Sequence, residues 1–153
     1  MFNAETMVDI LLVEDNPNDT ELALRAFKKH NFINRVEWVK DGEAALDYLF
    51  HRGAYAHGAN GLPRVVVLDL RLPKVDGIEV LTQIRANPAT HALPVVVLTS
   101  SKEESDLVAT YKLGVNSFVV KPIAFDEFSR VVAELGMYWV LVNRVPPDIR
   151  PTT

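Results

Sequence analysis

The chain has 153 residues, a formal net charge of -4 and no cysteine. This length suggests one domain, and a composition of 48% hydrophobic and 24% charged residues suits a buried core with a solvated surface. The composition argues against disulfides, thiolate chemistry, cysteine zinc sites and a basic nucleic-acid surface, and no stretch approaches the roughly 18 apolar residues of a membrane span. Because residues 1–7 also lack the pattern of a signal peptide, we expect a cytoplasmic protein.

The first half of the chain predicts two strand–helix pairs. An apolar strand at 8–13 is followed by Pro17, a residue that suits the first turn of a helix. Residues 33–39 alternate in polarity and predict a strand near the edge of a sheet, and a second helix extends over about 42–50.

Residues 51–63 form a predicted loop that is rich in glycine and alanine. It contains His51 and His57, which are possible metal ligands. No carboxylate or cysteine pattern accompanies them, so we interpret the segment as a solvated loop.

The second half continues the alternation of strands and helices. The predicted strands are 64–69, 94–98 and 115–120, and the predicted helices are 77–85, 103–113 and 124–143. Five strand–helix pairs predict an α/β fold, with a parallel sheet covered by helices on both faces.

Polar residues follow four of these strands at their carboxyl ends, where open α/β sheets bind ligands. Adjacent carboxylates call for a cation, and hard oxygen ligands suit Mg²⁺. An ammonium and a hydroxyl group nearby suit the oxygens of a phosphoryl group, for which a carboxylate is an established nucleophile. Each residue also has a bland interpretation as a helix cap, a turn residue or a solvated lysine, but their joint occurrence favours a shared site. These residues are Glu14 and Asp15, Asp69, Thr99 and Ser100, and Lys121.

The same positions carry a resemblance to a known family. The chain resembles the receiver domain of two-component response regulators over roughly residues 8–135. The segments that carry the resemblance are Val13-Glu14-Asp15-Asn16, residues 67–77, Leu98-Thr99-Ser100 and Val120-Lys121-Pro122. The resemblance implies a flavodoxin-like doubly wound sheet of five parallel strands, in the order 2-1-3-4-5.

The resemblance also implies a function and a set of roles. The protein is expected to be a signalling phosphoacceptor rather than an enzyme, and to receive a phosphoryl group from a sensor histidine kinase. It implies that Asp69 is the phosphoacceptor and that Thr99 and Lys121 contact the phosphoryl oxygens. It further implies that Phe118 is an aromatic switch coupled to Thr99, and that the Lys121–Pro122 bond is cis. The implied Mg²⁺ ligands are Glu14, Asp15, Asp69 and the backbone carbonyl of Arg71.

Two features resemble a narrower group, the single-domain regulators paired with bacterial phytochromes. They are the extra loop at 51–63 and the ending at 138–147. We therefore expect residues 1–153 to form one receiver domain with a core at 8–135, a C-terminal extension at 136–153 and no output domain.

Two other functions remain as alternatives. One is a degenerate receiver that acts only as a protein-binding scaffold, which the intact set of acidic, hydroxyl and lysine positions argues against. The other is a flavodoxin-like or nucleotide-binding enzyme. That alternative lacks a glycine-rich phosphate loop, because Glu14-Asp15-Asn16-Pro17 occupies the place where one would lie.

The last helix predicts an interface between two copies of the chain. A helix over 124–143 would be about 30 Å long and would extend beyond a domain of this size. One apolar stripe can pack on the sheet, and a second apolar side then needs a partner. We predict a symmetric homodimer, although folding of the tail back onto its own sheet is the alternative. The predicted dimer residues are Val131, Tyr138, Leu141 and Val145.

Overall fold

The computed structural model describes residues 8–29, 36–57, 61–121 and 124–137. The strands are β1 (Ile10–Val13), β2 (Val36–Val39), β3 (Val65–Leu68), β4 (Val95–Thr99) and β5 (Ser117–Val120). The helices are α1 (Pro17–Lys29), α2 (Gly42–Phe50), α3 (Gly77–Ala86), α4 (Glu104–Lys112) and α5 (Phe125–Met137).

The strands form one sheet of five parallel strands in the order β2-β1-β3-β4-β5. This confirms the predicted fold class and strand order, with β2 at one edge. Every residue of β1, β3 and β4 is buried, which explains why these central strands are almost entirely branched aliphatic.

Alternate residues of the central strands pack into two separate cores. Leu11 and Val13 of β1 share one core with α2 and α3. Ile10 and Leu12 lie on the opposite face, against Phe27 of α1. The sheet is therefore covered on both faces, and the ends of its strands remain as the edge where polar side chains can gather.

The segment predicted as a plain loop contains a short 3₁₀ helix at Gly53–Tyr55. The chain turns into it through left-handed backbone at His51, with φ of 54°, and at Gly53, with φ of 53°. His51 and His57 are both exposed, as the solvated-loop interpretation predicts.

Arg85 of α3 joins two loops at the amino ends of the strands. Its guanidinium donates hydrogen bonds to the carbonyls of Leu93, at 2.7 Å, Leu113, at 2.8 Å, and Gly114, at 2.9 Å. The side chain thereby links the loop before β4 to the loop before β5. Both loops lie at the amino ends of the strands, away from the carboxyl ends.

Helix α5 packs against α1 and is described as far as Met137. Val131 is partly buried on it. The predicted extension of this helix, together with Tyr138, Leu141 and Val145, lies outside the described residues, as do Pro122 and the predicted cis bond. No helix in the described part of the chain is both long enough and apolar enough to cross a membrane.

Candidate functional site

Main-chain hydrogen bonds continue past the strands and bring the predicted site residues together. The amide of Glu14 donates to the carbonyl of Val39, and that of Asp69 donates to Val13, both at 3.1 Å. At the carboxyl ends of β4 and β5, the amide of Lys121 donates to the carbonyl of Thr99 at 2.7 Å. The residue after each of these strands is therefore fixed by its neighbour strand, which is the geometric reason that the ends converge.

The turn between β1 and α1 leaves its acidic side chains available for a site. Asn16 caps α1, because its Oδ1 accepts the amides of Asn18 at 2.9 Å and Asp19 at 3.1 Å. Asp15 is an exposed side chain beside the buried Glu14.

The segment between β3 and α3 wraps closely around the end of the strand. Asp76 caps α3 by accepting the amide of Ile78 at 3.1 Å. A Cβ atom at Gly77 would lie 2.4 Å from the carbonyl oxygen of Asp69 and 2.6 Å from the Cα of Leu70. Glycine is thus required at this position, because the first turn of α3 touches the backbone that carries Asp69.

Glu14, Asp15 and Asp69 form an acidic cluster in which one ligand atom from each lies within 4.8 Å of the others. Glu14 and Asp69 are buried, and Asp15 is exposed at the mouth of the site. Three carboxylates at this spacing fit a hard divalent cation that also keeps water and phosphate ligands, as Mg²⁺ does.

Lys121 places its ammonium group among carboxylates, and its side chain is only 8% exposed. Its Nζ donates to Glu14 Oε1 at 2.5 Å, to Asp19 Oδ2 at 2.9 Å and to Asp69 Oδ2 at 3.0 Å. The solvated-lysine interpretation therefore does not hold: this side chain crosses from the end of β5 to the end of β3.

The shared burial shifts the pKa values of this group. Burial raises the pKa of Glu14 to about 7, despite the opposing hydrogen bond from Lys121. Burial acts in the same direction on Asp69, but the charge and hydrogen bond of Lys121, with a hydrogen bond from Thr99, lower its pKa overall. Burial alone would lower the pKa of Lys121, yet hydrogen bonds with Asp19 and Glu14 raise it above its ordinary value. Asp69 is thus ionised and Lys121 is charged at neutral pH.

Thr99 is fully buried at the end of β4. Its Oγ1 accepts the amide of Ser101 at 3.2 Å, whereas Ser100 is exposed. Thr99 is not the cap of α4, because the capping position belongs to Glu103, which makes no side-chain cap bond. The threonine hydroxyl also hydrogen-bonds to Asp69, so it belongs to the site rather than to the helix cap.

Arg71 and Phe118 occupy the flanks of the site. The amide of Arg71 makes a long hydrogen bond of 3.4 Å to Asp69 Oδ1, and its guanidinium extends to Asp106 of α4 at 2.7 Å. Phe118 is partly buried on β5, opposite Val97 of β4, and packs against the core shared with α2 and α3.

Sequence reasoning missed two carboxylates, Asp19 and Asp106. Asp19 lies in the first turn of α1, where an acidic residue is usually attributed to the helix dipole. Asp106 reaches Arg71 across 35 positions of sequence, so no local pattern identifies it. The structure also places the indole of Trp38 beside the site, donating from Nε1 to the carbonyl of Glu14 at 2.9 Å.

Comparison with known proteins gives one consistent family. Residues 10–133 match the family described as the response regulator receiver domain. Among curated relatives, a probable methanogenesis regulatory protein, FilR2 of Methanothrix harundinacea, is 49% identical over 95% of this chain and 92% of its own length.

Solved structures agree with this assignment. The bacteriophytochrome response regulator AtBRR is 51% identical, with a TM-score of 0.71 over 90% of this chain and 99% of its own. The Mn²⁺-bound form of response regulator Rcp1, a protein of Synechocystis, is 35% identical, with a TM-score of 0.83 over 91% of this chain and 99% of its own. A structural relative therefore binds a divalent cation.

Proposed function

Because the chain belongs to the response regulator receiver domain family, we propose that it is a signalling phosphoacceptor, modified on Asp69 by a sensor histidine kinase. The observation that carries this proposal is the position of Lys121, whose Nζ lies 3.0 Å from Asp69 Oδ2 beside the acidic cluster. One carboxylate is thus placed next to both a fixed cation and a site suited to a second one.

The geometry suits transfer of a phosphoryl group to a carboxylate. An oxygen of Asp69 attacks phosphorus, the bond from phosphorus to the kinase histidine nitrogen breaks, and the imidazole keeps that electron pair and takes up a proton. The lowered pKa of Asp69 keeps the attacking group ionised. Lys121 and Thr99 would receive the phosphoryl oxygens, a role supported by their hydrogen bonds to Asp69.

The acidic cluster has the donor set for the proposed cofactor, Mg²⁺. Glu14, Asp15, Asp69 and the backbone carbonyl of Arg71 would hold it, and it would offset the negative charge on the phosphoryl oxygens. One ligand atom from each of Glu14, Asp15 and Asp69 lies within 4.8 Å of the others, a spacing that suits one shared ion.

Thr99 is the proposed start of the signal. Its hydroxyl accepts the amide of Ser101, so movement of Thr99 toward a phosphoryl group pulls directly on the segment that leads into α4. Phe118, in the neighbouring strand, then turns inward to fill the space that Thr99 leaves. The output of the protein is accordingly a changed surface rather than a reaction on a separate substrate.

We place the protein in the cytoplasm, and its proposed partner is a sensor histidine kinase, with a phytochrome as the first candidate. The similarity to a bacteriophytochrome response regulator over 90% of this chain supports that choice. We also propose that residues 1–153 act as one receiver unit with its core at 8–135.

Homodimerisation through the C-terminal helix and tail is the second part of the partner proposal. Val131 is partly exposed on α5, which is consistent with an apolar contact there. Tyr138, Leu141 and Val145 would extend the same contact, and a two-fold axis would let identical apolar faces cover one another.

Transfer from a kinase tests the function directly. Purified histidine kinases, including a phytochrome kinase, are phosphorylated, mixed with the protein and sampled over time. Rapid loss of label from the cognate kinase and its appearance on the wild type, but not on Asp69→Asn, is the expected result. A scaffold would bind the kinase and remain unlabelled, and a nucleotide-binding or flavin-binding enzyme would instead bind its cofactor.

A further inference from the structure

The ammonium group of Lys121 is fully occupied by three carboxylates. Its Nζ can donate three hydrogen bonds and has three acceptors, Glu14, Asp19 and Asp69, at 2.5, 2.9 and 3.0 Å. Two of these acceptors are also proposed ligands of Mg²⁺, whereas Asp19 is not part of the acidic cluster. Asp19 is therefore the one partner of Lys121 among these three that is not also a proposed metal ligand.

Lys121 and a metal ion compete for the same oxygen atoms. When Mg²⁺ binds Glu14 and Asp69, the ammonium loses much of their charge and is repelled by the new cation. The Lys121 side chain is 8% exposed, so water cannot readily replace the lost partners. If the buried ammonium had no carboxylate of its own, its repulsion would weaken the binding of the metal, or the Lys121 side chain would move out of the site.

Asp19 is held in a position where it can remain a partner of Lys121 when the metal binds. Its backbone amide donates to the capping side chain of Asn16 at 3.1 Å, which fixes the first turn of α1. Asp19 therefore holds its contact with Lys121 from the first turn of α1, outside the acidic cluster. The Asp19 side chain is 27% exposed, whereas those of Glu14 and Asp69 are 5% and 7% exposed.

We propose that Asp19 is a positioning residue that retains Lys121 in the site when Mg²⁺ takes the carboxylates of Glu14 and Asp69. It acts through Lys121 and does not touch the metal. It lowers the cost of loading the metal and leaves the ammonium beside Asp69 for the incoming phosphoryl group. This inference rests on the proposed function and adds a residue that the acidic cluster does not include.

Binding of Mg²⁺ alone, measured without any phosphoryl donor, provides the test. Trp38 serves as the fluorescent reporter because its indole is hydrogen-bonded to the backbone of Glu14, and Trp139→Phe removes the second tryptophan. Asp19→Asn keeps the shape of the side chain and removes its charge. We expect the Mg²⁺ dissociation constant to rise about tenfold, which is the usual weight of one charged hydrogen bond.

A double-mutant cycle separates positioning from a simple loss of negative charge. In a Lys121→Met background, Asp19→Asn should change the dissociation constant by less than about twofold, the usual limit of additivity. Glu21→Gln is the matched control, because Glu21 lies on the same helix and pairs with Arg25 at 2.8 Å. We expect it to leave Mg²⁺ binding unchanged.

Two results would overturn the inference. The first is an unchanged Mg²⁺ affinity in Asp19→Asn, and the second is an equal loss in the presence and absence of Lys121. Failure of the proposed function gives a different pattern: the cycle shows the expected coupling, yet wild-type protein loaded with Mg²⁺ accepts no phosphoryl group on Asp69.

Discussion

Arg71 and Asp106 form an ion pair of 2.7 Å that ties the segment after β3 to helix α4. The same carboxylate oxygen of Asp106 accepts the hydroxyl of Ser101 at 2.6 Å. Arg71 lies two positions after Asp69 and Ser101 lies two positions after Thr99. Asp106 thus joins the two segments that flank the proposed phosphoryl site, and its side chain is 14% exposed.

The first prediction concerns the lifetime of the phosphoryl group. We predict that the long Arg71 side chain shields an acyl phosphate from water and that Ser101 is too short to orient an attacking water, so that self-dephosphorylation is slow. The structure adds that Asp106 anchors Arg71. Arg71→Asn and Asp106→Asn should each shorten the lifetime several-fold, and the double variant should show less than the product of the two effects because the residues share an ion pair.

Decay of labelled protein after removal of the donor measures this lifetime. Arg25→Asn is a suitable control, since Arg25 is exposed and forms its ion pair within α1. If Arg71→Asn decays no faster than the wild type, the shielding role of Arg71 is wrong.

The second prediction concerns the stability that Arg85 contributes through its hydrogen bonds to the loops before β4 and β5, which we call the Arg85 clamp. Lysine keeps the charge at this position but cannot supply the planar set of donors that reaches Leu93, Leu113 and Gly114. Arg85→Lys should therefore lower the free energy of unfolding by about 2 kcal/mol, the sum of two net hydrogen bonds. Urea denaturation of the variant and of Arg25→Lys compares a clamp with an exposed arginine. Equal midpoints would show that the clamp adds no stability.

The third prediction concerns the close contact at Gly77. An alanine methyl group would meet the carbonyl of Asp69 at 2.4 Å, so the backbone on one side must shift. Gly77→Ala should cost about 1–3 kcal/mol of stability and should also weaken Mg²⁺ binding, because the displaced segment carries Asp69. Glu79→Ala, at an exposed position of the same helix, is the control. If Gly77→Ala is destabilised but binds Mg²⁺ as tightly as the wild type, the close packing at Gly77 does not position Asp69 for metal binding.

The fourth prediction concerns the oligomeric state. Light scattering should give about twice the monomer mass for the full chain. Deletion of residues 137–153 should give monomers that still accept a phosphoryl group on Asp69. A full chain that remains monomeric at tens of micromolar would favour the folded-back tail instead.

Most of the fold was predictable because the central strands have a distinctive composition. Val65–Leu68 and Val95–Thr99 are nearly pure aliphatic runs, and burial on both faces demands such runs. The strand order, by contrast, came only from the family resemblance, since strand alternation alone does not fix which neighbours pair. The turn through His51 was missed because nothing in the local sequence signals left-handed backbone at a histidine.

The candidate site was predictable to the extent that its residues follow strands directly. Glu14, Asp69, Thr99 and Lys121 each end or follow a strand, so sheet topology alone brings them together. Asp19 and Asp106 enter from helices, and their contacts with Lys121 and Arg71 depend on side-chain reach and helix placement. Such contacts become visible only when the elements are packed.

Intact mass measurement of Asp69 phosphorylation tests the central claim most directly. Wild-type protein incubated with phosphoramidate and Mg²⁺ should gain the mass of one phosphoryl group. Asp69→Asn under the same conditions, and wild type in the presence of a chelator, should gain none, because the first lacks the nucleophile and the second lacks the charge that offsets the phosphoryl oxygens. Equal labelling of Asp69→Asn, or labelling that persists without Mg²⁺, would contradict the proposed role of this site.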